Sequence, residues 1–138
     1  MKYITITDII ANIHESMIKS SIENDEYILD DLELQTIDEI KSYIGARYDT
    51  SKIFVDTPVA NGMLRRIIVC IVTYRAVRRN AARKVPDDYV DMKEWAYDVL
   101  DKIRDGIMTL PDMPPAVDPE TGEQLSLFGS NRKPEYFL

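Results

Sequence analysis

The chain has 138 residues, 45% of them hydrophobic, and a net charge of −7, which suits one compact domain with a single core and leaves too little length for two ordinary ones. Its longest apolar run, Ile67 to Val72, is too short to cross a bilayer, and residues 1–6 lack the cationic start, apolar stretch and small-residue cleavage site of a secretory signal, so a cytoplasmic site and no membrane contact are expected. A lone cysteine, Cys70, and a lone histidine, His14, exclude an intrachain disulfide and every multi-cysteine metal motif, and no catalytic residue, metal ligand or cofactor is expected.

Thr7, followed by Asp8-Ile9-Ile10, reads as the N-cap of a short first helix. From Glu15 to Leu29 the pattern is mixed, because Asn24-Asp25-Glu26 breaks the apolar period and predicts some loop. A clearer helix follows, capped by Asp30 or Asp31, with Leu34, Ile37, Ile40, Ile44 and Tyr48 recurring at helical steps along one face and an end near Tyr48. Residues 49–58 read as a connector, in which Ile53-Phe54-Val55 is too short for a strand assignment.

Asn61 caps the next helix, which is expected to run to about Ala82. Its apolar run leaves no polar side, so it must be enclosed by the others, whereas Arg75, Arg79 and Arg83 line up on one side beyond Thr73. Pro86 fits the first turn of a last helix, Asp87-Asp88 suit the positive end of its dipole, and Gly106 supplies its stop. Met92, Trp95, Ala96, Val99, Leu100 and Ile103 form the inward face. Asp91, Glu94, Asp98, Asp101 and Asp105 share another stripe, a spacing at which like charges cost a helix about 0.2–0.5 kcal/mol per pair. The expected fold is therefore all-α, a compact bundle of about four main helices around a central buried one.

Beyond Leu110 the composition turns to Pro and Gly, which divides the chain into a helical domain at 1–110 and an extended C-terminal arm at 111–138. Leu125, Leu127, Phe128, Tyr136, Phe137 and Leu138 are apolar residues of a kind that docks into a partner's groove or adds to a sheet edge.

Charge is segregated along the chain. Residues 57–86 hold seven cations and no acid, whereas each flank carries twelve acids against five cations. The acid stripe is either a solvated face, or pairs with the arginines of its own chain, or meets Arg75, Arg79 and Arg83 of a neighbouring copy.

The Thr7-Asp8 start, Ile44-Gly45-Ala46-Arg47-Tyr48, Pro58, the stretch from Leu64-Arg65-Arg66-Ile67 to Tyr74-Arg75, and Asp105-Gly106 together resemble the small head-tail connector, or head completion, proteins of Mu-like phages and prophages. The resemblance runs from Tyr3 to about Leu110; the acid-rich segment from Glu23 to Glu33 and the tail depart from it. It implies a structural virion protein, an adaptor made in the host cytoplasm and assembled as a homo-oligomeric ring, dodecameric in the virion. The ring would lie beneath the portal protein, join it to a downstream tail or stopper protein, and surround the passing duplex DNA without binding it specifically. A ring needs two different patches that match head to tail, which opposed charge can supply; an acidic wall would also keep the duplex moving.

Two other readings arise from the residues. Arg65, Arg66, Arg75, Arg78, Arg79, Arg83 and Lys84 could contact the phosphates of a nucleic acid, although a pI near 4.7 works against it. Gln124-Leu125-Ser126-Leu127-Phe128 resembles the short peptide with which bacterial replication proteins dock on the sliding clamp.

Overall fold

A computed structural model describes residues 1–11, 15–23, 25–79 and 84–117. The fold is all-α, with six helices among the described residues.

The first helix, α1 (Ile6–Ile10), starts two residues earlier than Thr7 would place it. Thr5 is the N-cap, because Asp8 stands three residues after it: the Thr5 hydroxyl accepts from the Asp8 N–H at 3.3 Å while the Asp8 carboxylate accepts from the Thr5 N–H at 2.8 Å. Thr7 has Ile10 at the same offset and could form no such reciprocal pair. The segment read as mixed contains α2 (Glu15–Ser21), whose Ile18 is buried beside Ile22 just past its end.

The long helix α3 (Tyr27–Ile44) also starts early. Asp30 and Asp31 lie inside it, and the Asp25 carboxylate takes the Tyr27 N–H at 3.0 Å instead. Its buried face is Leu29, Leu32, Thr36, Ile37, Ile40 and Ile44. Leu34, expected on that face, lies roughly a third of a turn from its centre and is 59% exposed. The helix ends at Gly45, where a Cβ would stand 2.6 Å from the Lys41 carbonyl oxygen, a backbone approach that any larger residue must push apart.

Ile53 closes the short helix α4 (Thr50–Ile53), capped by Asp49 through the Ser51 N–H. The central helix is α5 (Gly62–Arg78), with Asn61 as its N-cap accepting from the Leu64 N–H at 2.9 Å. Every residue from Ile67 to Thr73 is buried, and α5 touches α1, α2, α3 and α6; the unbroken apolar run thus marks a helix enclosed on all sides. Ala82, its expected end, lies outside the described residues.

The last helix, α6 (Asp87–Arg104), has Pro86 at its N-cap, one position before the first turn. It returns alongside α5, burying Ala96, Val99, Leu100 and Ile103, with Met92 and Trp95 half-buried at the edge. Gly106 adopts φ 78° and ends it, with the Gly106 N–H donating to the Ile103 carbonyl at 3.2 Å and the Ile107 N–H to the Lys102 carbonyl at 2.9 Å. This paired closure needs a left-handed residue at that point, which glycine adopts without penalty.

Residues 111–117, assigned above to the arm, lie against the helical body. Leu110, Met113 and Ala116 are buried, and the backbone of this segment pairs with residues 47–49: the Asp49 N–H donates to the Pro114 carbonyl at 2.9 Å and the Ala116 N–H to the Arg47 carbonyl at 3.0 Å. Residues 111–116 are therefore part of the packed body.

Candidate functional site

The residues expected to meet a partner divide into three groups. Arg75 leaves the exposed set altogether. Carried on α5 where α3 and α6 converge, its guanidinium donates to the Glu39 carboxylate at 2.8 Å, to the Thr36 hydroxyl at 3.0 Å and to the Tyr97 hydroxyl at 3.2 Å. Tyr97 in turn donates to the other oxygen of Glu39. The cluster ties three helices together, and a planar guanidinium with its forked donors is the side chain suited to holding three acceptors at once. Burial, followed by the bond to Glu39, pushes the Tyr97 phenol up to about 12.

Arg79 follows α5 as its C-cap and is exposed, and Arg65, Arg66, Arg78 and Lys84 are exposed as well. None of these five forms an ion pair among the described residues. Arg66 lies over the Trp95 ring at 4.6 Å, and Lys93 of α6 lies over the Tyr74 ring of α5 at 4.5 Å. Each helix thus sets a cation on an aromatic face of the other, which leaves the charges themselves in water. Arg83 lies outside the described residues.

The acid stripe on α6 is split. Asp98 pairs with Lys102 at 3.0 Å, and Asp101 and Asp105 both pair with Arg104, at 3.2 Å and 3.3 Å. Asp91 and Glu94, nearer the start of the helix, are exposed and form no ion pair among the described residues, and neither do Asp87 and Asp88. No acid of the stripe pairs with an arginine of α5. Unpaired cations near the C-terminal end of α5 and unpaired acids on the first half of α6 thus remain on one subunit.

The proposed docking residues Leu125, Leu127, Phe128, Tyr136, Phe137 and Leu138 lie outside the described residues, as does the clamp-like segment 124–128. Cys70 is buried in the core, and burial pushes its thiol up, with the Arg66 charge opposing. Among the described residues no group of three or more His, Cys, Asp or Glu side chains could hold a metal ion, and no helix is long and apolar enough to cross a membrane.

Three structural roles were not read from the sequence. Glu39 and Tyr97 complete the Arg75 cluster. The Arg47 Nε donates to the Arg104 carbonyl at 2.8 Å, where α6 ends, and the Tyr48 hydroxyl takes the Leu110 N–H at 2.7 Å. Gly45-Ala46-Arg47-Tyr48 is thus a joint that fixes the end of α6 and the segment after it. The signal was present in the dense mixture of small, cationic and aromatic residues, but nothing in it named the distant partners.

No family model matches the chain, and no match was found among curated proteins or among solved structures.

Proposed function

We propose that the chain is a structural connector of a phage or prophage virion, assembled head to tail into a ring between the portal and the tail. The observation that supports this reading is charge of both signs without ion pairs among the described residues: Arg78, Arg79 and Lys84 around the end of α5, and Asp91 and Glu94 on the first half of α6. A patch of one sign that its own subunit leaves unmatched is a ready half of an interface with the next copy, and a heterologous contact repeated around an axis closes a ring. The resemblance of residues 3–110 to head completion proteins of Mu-like phages supplies the virion context, the ring beneath a dodecameric portal and the passing DNA.

Charge exchange tests it. By light scattering across a concentration series, the wild-type chain is expected to self-associate, and to do so less as salt rises. Arg79→Glu and Glu94→Arg should each abolish association, and the two together in one chain should restore it. A wild type that stays monomeric at every concentration, or a double variant no better than the singles, would refute the interface. Salt-sensitive binding of duplex DNA that Arg79→Glu removes would transfer the cations to the nucleic-acid reading.

A further inference from the structure

A groove of about 450 Å³ runs between α3 and residues 54–58, floored in part by Tyr3, Ile37 and Phe54. Each wall offers the same pair of chemistries. On α3 stand Leu34, 59% exposed, and Asp31, exposed and without an ion pair among the described residues. On the opposite wall stand Val55, 42% exposed, and Asp56, which holds only the exposed Lys2 at 3.1 Å. The lining also holds the N-terminal amine, paired with Asp30, and Lys41, which pairs with Asp38 at 3.8 Å and lies over the Phe54 ring at 5.9 Å. With those cations partnered, Asp31 is left as an exposed acid without an ion pair, and large apolar side chains open on both sides of the cleft beside it fit a ligand that is apolar at one end and cationic next to it.

The chain carries such a sequence itself: Arg132-Lys133-Pro134-Glu135-Tyr136-Phe137-Leu138. We propose that the groove between α3 and residues 54–58 receives residues 132–138 of a second copy of this chain. Tyr136, Phe137 and Leu138 cover Leu34, Val55 and the floor, Arg132 and Lys133 face Asp31 and Asp56, and Pro134 disfavours a helix at the entry. Residues 118–131 can span up to roughly 45 Å when extended, enough to leave one subunit for the next. This inference deepens the assembly reading, since it assumes a neighbouring copy, and it names the surface that receives the arm.

Cysteine cross-linking in the full chain tests it, with the buried Cys70 left in place. Leu34→Cys protein mixed with size-tagged Phe137→Cys protein should form an intermolecular disulfide at least tenfold faster than Ile107→Cys protein, whose site is 75% exposed and outside the groove. A peptide of sequence RKPEYFL in excess should suppress the adduct. A Leu34→Cys/Phe137→Cys double variant that closes its own disulfide as a dilute monomer would overturn the proposal in favour of the chain filling its own groove. Equal rates at Leu34 and Ile107 would overturn it outright. Light scattering of the same samples separates the two failures: oligomers that persist without the cross-link leave the connector reading standing, whereas monomers throughout sink both.

Discussion

Glu33 ties the N-terminal segment to α3, and its removal should cost the fold heavily. It is 3% exposed and forms no ion pair among the described residues; its carboxylate instead accepts the backbone N–H groups of Lys2, Tyr3 and Ile4 at 2.6, 3.1 and 2.9 Å. These bonds hold an N-terminal segment that buries Tyr3 and Ile4 and sets the Tyr3 hydroxyl on the Val59 carbonyl at 2.8 Å. Left without their acceptor, the two buried donors of Tyr3 and Ile4 would cost about 1–3 kcal/mol each. The segment can escape that cost by peeling into water, and the loss is then the burial of one Ile and one Tyr, about 1.5–3 kcal/mol apiece. Glu33→Ala should therefore destabilise by about 3–6 kcal/mol. Glu33→Gln keeps the shape but turns an amide N–H toward one of the donors, and should cost about 1–2 kcal/mol. Urea unfolding followed by circular dichroism gives both numbers from midpoint shifts at constant slope. An Ala variant within about 1 kcal/mol of wild type, or a Gln variant as damaged as the Ala one, would show that the carboxylate is not what holds the segment.

Three smaller predictions rest on single observations. The Thr73 hydroxyl is buried without a hydrogen-bond partner among the described residues, so Thr73→Val should stabilise by about 1 kcal/mol in the same urea assay, and a loss of stability would mean the hydroxyl is satisfied in solution. Gly106→Ala should cost about 1 kcal/mol at the left-handed end of α6, whereas a neutral result would show that the closure relaxes freely. Tyr97 holds its proton to about 12 against a usual 10.0, so the unfolded chain ionises first and stability should fall between about pH 10 and 12; Tyr97→Phe should flatten that fall, and an unchanged slope would remove Tyr97 as its cause.

How much of this could be read beforehand depended on whether the signal was local. The enclosed helix, its Asn61 cap and the Gly106 stop each rest on one run or one residue, and each stands as expected. Register was harder. Anchoring the α3 stripe at Leu34 and not at Leu29 turned the assumed face outward at its first position, because a helical stripe five residues long has no internal check on where it begins. Long-range pairing was beyond reach: Glu39 stands among other acids of α3, and only the fold shows that this one, 36 residues before Arg75 in the chain, takes its guanidinium. Segment 111–117 misled for a different reason, since its prolines announce an end to helices but say nothing about whether the extended backbone then lies on the body.

The split of the acid stripe gives the assembly reading a sharper consequence than charge segregation alone. An acid already paired on its own helix offers a neighbour little, because exposed pairs are worth at most about 1 kcal/mol and a new partner must displace the old one. Asp98, Asp101 and Asp105 are in that position, paired with Lys102 and Arg104; Asp91 and Glu94 are not. If opposed charge joins copies, the contact must fall on the first half of α6. Asp91→Ala and Glu94→Ala should then each weaken self-association severalfold in sedimentation velocity, while Asp101→Ala, on the same stripe and two turns further on, leaves it unchanged. Should Asp101→Ala weaken association as much as Glu94→Ala, the attraction would be a property of net charge and not of a docking patch, and the head-to-tail geometry would lose its support.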